Sequence, residues 1–147
     1  MSALFSPFQL KDVTLRNRIA VPPMCQYSAI DGVTTDWHLH HYAGLARGGA
    51  GLVIVEATAV SPEGRISPGC TGLWNDQQAE GMARIARATK AGGAVPGIQL
   101  AHAGRKGSTW SPLISGHYGS VRPDEGGWAT VAPSAVAYPG YAVPREL

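Results

Sequence analysis

Cysteine, phenylalanine and charge are scarce in this sequence. Its 147 residues include two cysteines and two phenylalanines, and 15% are charged. The cysteines, Cys25 and Cys70, fit neither a C-x-x-C metal pair nor a disulfide framework. Lys and Arg form no run, and the formal net charge is only +2. So weak a field excludes nucleic-acid and anionic-membrane surfaces as expected partners. No apolar stretch approaches the roughly 20 residues of a membrane span. Met1 to Lys11 has no basic segment leading into an apolar run, so no signal peptide is expected. The expectation is a reduced, cytoplasmic protein. Apolar residues are plentiful at 44%, which supports a globular core rather than disorder. Glycine and proline are also plentiful, 19 and 11.

Three short apolar runs predict strands: Ile19-Ala20-Val21, Gly51 to Val55, and Val95 to Leu100. The second is continuous and β-branched, as in a strand covered on both faces of a parallel sheet. Helical patterns lie between them. Asp36 predicts the N-cap of a helix through about Arg47, which Gly48-Gly49 would end. Asn75 with Gln78 three residues later predicts a capping box. Ala79, Met82, Ala83 and Ala86 then fall at helical spacing, and Gly92-Gly93 ends that helix. Residues 1–16 read as a small entry element, with a hairpin as its simplest form. Residues 104–140 read as a long loop, and in compact domains such a length goes with function or disorder.

Alternating strands and helices suit an open doubly wound sheet or a closed eight-stranded barrel. Polar residues favour the barrel. Cys25-Gln26-Tyr27 follows the first strand, Glu56 and Thr58 end the second, and Gln99, His102, Arg105 and Lys106 end the third. Reactive side chains at the carboxyl end of every strand suit a barrel's active face. An open sheet concentrates its site at one switch point after a glycine-rich first turn, and here that turn is Pro22-Pro23-Met24-Cys25. The expected fold is α/β: residues 1–147 form the first three β/α units of a (β/α)8 TIM barrel, incomplete without further strands.

Several motifs carry two readings. Arg47-Gly48-Gly49-Ala50-Gly51 precedes a strand, whereas a phosphate cradle must follow one and open a helix. A helix stop and close-packed turn is expected there. His38 and His41 have the spacing of one helical face, but no acidic or Cys partner is near in sequence, so packing is favoured over metal. Cys25 is either a small buried hydrophobe or a strand-end functional thiol. Tyr27 either donates into the same cavity or is an ordinary half-buried tyrosine. Gln99 shares a strand face with Gly97 and Ala101, and its amide needs a partner: a heterocyclic ligand in the barrel mouth or a neighbouring backbone. Arg105 and Lys106 meet either an anionic ligand or solvent. No G-x-S-x-G elbow occurs, which leaves hydrolase readings weak.

Taken together, Asn17-Arg18-Ile19 with Pro22-Pro23-Met24-Cys25-Gln26-Tyr27, Val55-Glu56-Ala57-Thr58-Ala59-Val60, Gly64-Arg65-Ile66 and Gln99 through Lys106 resemble the bacterial Old Yellow Enzymes. The likeness is to their xenobiotic reductase branch, and Ala132-Pro133-Ser134 and Val143-Pro144-Arg145-Glu146 continue it. The resemblance implies an FMN-dependent ene-reductase. FMN lies at the carboxyl face, NADPH or NADH reduces it, and hydride passes to the β-carbon of an activated alkene. It implies that Pro22, Pro23, Met24 and Cys25 pack along the flavin, that Ala57 touches it by backbone, and that Gln99 bonds the ring's pyrimidine edge. Cys25 tunes the flavin and Tyr27 lines the substrate site. The family's carbonyl-binding His pair and its Tyr proton donor follow the fourth strand, outside these residues. The expected partners are therefore a complementary polypeptide carrying the remaining strands, small activated alkenes, and a possible second copy of the completed enzyme. The alternatives are another FMN barrel, such as a dihydrouridine synthase, and a catalytically inactive fragment or assembly subunit.

Overall fold

The computed structural model describes residues 2–114 and 116–147. A turn at Ala3–Phe5 leads into an antiparallel hairpin of β1 (Phe8–Leu10) and β2 (Val13–Leu15). Then come β3 (Ala20–Val21), α1 (Asp36–Arg47), β4 (Leu52–Ala59), α2 (Asp76–Ala91) and β5 (Val95–Ala101). A short parallel pair, β6 (Val131–Ala132) with β7 (Arg145–Glu146), closes the chain. The three apolar runs are thus the three strands β3, β4 and β5. The second extends further than expected, so Glu56 and Thr58 lie within β4 rather than at its end. Residues 104–140 are also less bare than expected, holding β6 and turns at Gly104–Lys106 and Pro123–Glu125.

Local chemistry sets the helix ends. Thr35, not Asp36, caps α1. Its backbone is extended, and its N–H donates to His38 Nδ1 at 3.0 Å. Asp36 is already helical and serves as the acidic residue of the first turn, where the dipole favours it. In α2, Asn75 Oδ1 accepts from Gln78 N–H at 3.0 Å. The return arm of the box lands one residue early: Gln78 Oε1 accepts from Trp74 N–H at 2.8 Å. Gln78 Nε2 donates to Asp31 O at 3.1 Å, tying α2 to the β3–α1 loop. Gly49 takes φ +109° after α1, and a Cβ on Gly51 would lie 2.6 Å from Asn17 O. The glycine cluster is therefore a helix stop and a close approach.

β3, β4 and β5 form one parallel sheet in sequence order. Both helices pack on the same face of it, side by side. Tyr42 and Ala46 of α1 and Met82 and Ile85 of α2 meet Val53 and Val55 of β4 in one core. A doubly wound sheet would place its helices on both faces, whereas a barrel keeps them all outside. The opposite face, which a closed barrel would enclose, is only partly covered among the described residues, with Ala57 buried and Gln99 exposed. The free edge of β5 is uncovered among them, and there Ile98 and Leu100 are exposed.

This packing predicts a contrast in stability. Ile85→Ala empties a buried site at the helix–sheet interface and should cost about 2–5 kcal/mol. Leu100→Ala, at a residue 58% exposed, should cost about 0.5 kcal/mol or less. Urea titration of the two variants checks it, and equal losses would contradict the assigned core.

Candidate active site

The loop after β3 carries Pro22 to Tyr27 across the carboxyl end of the sheet. Gln26 is its anchor. The side-chain amide donates to Met24 O at 2.9 Å and accepts from Trp37 Nε1 at 3.2 Å. Tyr27 takes φ 51°, a left-handed conformation that costs a non-glycine residue about 1–2 kcal/mol. Gly69 faces it so closely that a Cβ there would lie 2.5 Å from Tyr27 O. The Ser67–Cys70 turn therefore rests directly on this loop, and Gly69 O accepts from Ala29 N–H at 2.9 Å.

The register of β4 on β5 decides what faces the loop. Val55 pairs with Ile98 and Ala57 with Gln99, so Glu56 is an extra residue in β4. Such a bulge leaves one residue without a ladder partner and redirects its side chain. Glu56 turns toward α1, and its freed N–H donates to Tyr42 Oη at 3.0 Å. Its carboxylate accepts from Tyr42 O–H at 3.0 Å through Oε1 and from Gln26 N–H at 3.0 Å through Oε2. His38 Nε2 lies 3.5 Å from Oε1 but is not aligned for a hydrogen bond. His38 Nδ1 already accepts from Thr35 N–H, so the ring is the neutral, Nε2-protonated form. The contact is dipolar, not an ion pair.

Burial pushes the Glu56 carboxyl above its usual range, against the pull of Gln26 N–H and Tyr42 O–H. Burial, and secondarily Glu56, raises the Tyr42 phenol. The Cys25 thiol is held below its usual value, first by a hydrogen bond from Cys70 and further by Ala57 N–H and Tyr27. Burial and the Glu56 charge oppose that shift. Cys70 is pushed up, mainly by donating to Cys25 and by its own burial. Tyr27 is pushed up to about 12 by burial and then by its anionic neighbours. Cys25 is thus the thiol of the pair that ionises first, and both cysteines are free.

The structure therefore brings Cys25, Tyr27 and Ala57 together, with Gln99 beside Ala57 on the same sheet face. Pro23 is half-buried in the loop, while Pro22 and Met24 are exposed. Gln99 was expected to be enclosed, yet it is exposed, because the described residues bury Ala57 but leave the β5 side of that face open. Arg105 and Lys106 are exposed in the Gly104–Lys106 turn. They lie over the Tyr138 ring, with Lys106 Nζ 4.2 Å from its centroid. The sequence reading missed Glu56's partners and Cys70. Tyr42 and His38 share one face of α1 at i,i+4 spacing, which was the available signal.

His38 yields a pH prediction. Burial, then His41, lowers its pKa below 6.5. A group depressed in the folded state contributes stability above its unfolded pKa, and that contribution is lost as pH falls through the folded value. Going from about pH 7.5 to about 5.5, wild type should lose more stability than His38→Gln. Glu56 acts with the opposite sign, since its raised pKa makes the folded state take up a proton first. The difference between the two proteins' urea midpoints, not either curve alone, carries the result. A difference independent of pH would contradict the neutral, buried imidazole.

Residues 3–113 match the model of the NADH:flavin oxidoreductase / NADH oxidase family. An NADPH dehydrogenase of Listeria welshimeri is 50% identical over 140 residues, 94% of this chain and 36% of that protein. An NADPH dehydrogenase of Bacillus velezensis is 52% identical over 105 residues, 70% of this chain and 31% of that protein. Among solved structures, a morphinone reductase superposes with a TM-score of 0.78 at 30% identity, covering 99% of this chain and 39% of its own. The Old Yellow Enzyme homologue of Zymomonas mobilis gives 0.77 at 33%, covering 99% and 40%. The chain spans about a third of the length of the curated relatives it matches, and its sheet is correspondingly unclosed. No helix of the described residues is long and apolar enough to cross a membrane. FMN with NAD(P)H is the cofactor pair of these flavin oxidoreductases, and a morphinone reductase has been solved in complex with tetrahydroNAD. With residues 3–113 matched to the family model and its three parallel strands and two intervening helices in order, the chain belongs to the NADH:flavin oxidoreductase / NADH oxidase family, as the N-terminal part of an Old Yellow Enzyme barrel.

Proposed function

We propose that this chain supplies the flavin floor of an FMN-dependent NAD(P)H:ene-reductase acting on activated alkenes such as α,β-unsaturated carbonyl compounds. The observation that carries this reading is the Ala57–Gln99 pairing. Beyond the bulge, a small residue and an amide stand side by side on the open face, next to the Cys25 loop. The donor set fits a flat heterocycle. Ala57 presents only a methyl group, too small to obstruct a ring, and Gln99 offers two donors and an acceptor at its edge.

The chemistry supplied by the bound group is hydride transfer, from NAD(P)H and on to the β-carbon of the alkene. This chain's residues position and tune. Gln99 holds the ring edge, Pro22, Pro23 and Met24 flank it, and Ala57 meets it through its backbone. Cys25, the more acidic thiol, places a polarisable sulfur beside it. Tyr27 is a strong proton holder, and its phenol lines the substrate side as a hydrogen-bond donor. Carbonyl activation and protonation belong to later barrel segments. The free edge of β5 supports a need for those segments, whether from a separate complementary polypeptide or one continuous with this chain. So does an apolar groove of about 420 Å³ between α2 and β5, lined by Val55, Leu73, Met82, Ala86 and Ile98. The NADPH dehydrogenase relatives favour this reading over a dihydrouridine synthase.

Two variants of the completed barrel test it. Gln99→Leu should weaken FMN retention by about 1–3 kcal/mol, the cost of an unpaired polar partner. Unchanged FMN affinity would contradict the assignment. Cys25→Ala should move the flavin midpoint potential, while Tyr27→Phe should alter the steady-state constants for cyclohexenone. Flavin absorbance decides the larger question. The completed barrel should retain FMN and oxidise NADPH or NADH with cyclohexenone, and residues 1–147 alone should not. A completed barrel without flavin would overturn the proposal.

A further inference from the structure

Glu56 is a fully buried carboxylate for which hydride chemistry has no use. Burying such a group is costly unless every oxygen is paired, so its partners show what the site gains. Oε1 is held by Tyr42 O–H and faced by His38, both on α1. Among the described residues Oε2 holds one thing, the backbone N–H of Gln26. That N–H belongs to the residue between Cys25 and Tyr27. The carboxylate is therefore a strut, with the helix layer on one side and the catalytic loop on the other. The β4 bulge makes it possible by turning Glu56 toward α1 while leaving Ala57 beside Gln99.

We propose that Glu56 is a positioning residue: braced by Tyr42 and His38, its carboxylate fixes the Gln26 backbone and so sets where the Cys25 sulfur lies against Ala57. The inference deepens the ene-reductase reading and rests on it for its functional meaning, since Cys25 matters only if it faces a cofactor. The groups around Cys25 are few. Cys70 comes from the Ser67–Cys70 turn, Tyr27 from its own loop and Glu56 from β4, with Tyr42, His38 and His41 of α1 behind. Of these, Glu56 is the carboxylate, and its charge opposes ionisation of the thiol. Position and charge are therefore separable.

The test uses the completed barrel, with wild type, Glu56→Gln and Tyr42→Phe compared by amide exchange and by iodoacetamide alkylation mapped to each cysteine. In Glu56→Gln, exchange at Gln26 should accelerate while the α1 and β4 core amides stay protected. Cys25 alkylation near neutral pH should rise, because removing the Glu56 charge favours the thiolate, and the lower nucleophilicity of the more acidic thiol takes back only part of that gain. Cys70, fully buried, should not follow. Tyr42→Phe removes the brace but not the carboxylate, so it should loosen Gln26 without the rise in Cys25 alkylation expected of Glu56→Gln. Unchanged Gln26 exchange in Glu56→Gln would overturn the proposal. A general loss of protection, with Cys25 and Cys70 rising equally, would also overturn it, because it marks a merely structural role. Neither readout requires flavin. A completed barrel that behaves as expected here but never retains FMN would refute the ene-reductase reading and leave the placement of the loop by Glu56 standing.

Discussion

Strand pairing repeats every two residues, so one additional residue changes which side every later side chain faces. Without the extra residue at Glu56, the carboxylate would point into the open face and Ala57 would point at the helices. Gln99 would then stand beside a charge instead of a methyl group. The bulge avoids this, and it also frees the Glu56 N–H that Tyr42 takes up. Helix position, loop position and the face presented by β5 thus share one origin in the register of β4.

The energetic cost of that arrangement is a buried charge. It is tolerable because the surrounding groups are polar and neutral. Tyr42 donates, Gln26 donates, and His38 stays uncharged because its Nδ1 is committed to the α1 cap. A cap hydrogen bond, normally worth about 1 kcal/mol, here also fixes a tautomer. Helix initiation and the electrostatics of the Cys25 loop are consequently not independent.

Much of the fold was legible in the sequence because its signals are local. Apolar runs marked β3, β4 and β5, and glycine pairs marked the ends of α1 and α2. Where local signals competed, the reading slipped by one residue: Thr35 and Asp36 are both good caps, and Gln78 could reach back to either Asn75 or Trp74. The facing of Gln99 with Gly97 and Ala101 was also legible, since it follows from alternation. Its exposure was not, because cover comes from elements outside the three strands. Glu56 looked solitary because its partners, Gln26 and Tyr42, reach it only through tertiary packing. The bulge itself left no mark, since Val-Glu-Ala-Thr reads as an ordinary strand and the irregularity belongs to the pairing. Cys70 joined Cys25 for a similar reason, through the seat that Gly69 makes against Tyr27.

The free edge of β5 is not uniform. Val95 N–H is spent on Gly51 O, toward β4, so by alternation the next nitrogen faces outward, and it belongs to Pro96. Proline has no hydrogen to give. The row of groups offered to an incoming strand therefore begins with a missing rung. A strand docked out of step, with an acceptor opposite that rung, forfeits a bond that the correct neighbour never needed. Pro96 thereby leaves this end of the edge a poorer place for a strand to pair than the rest of it.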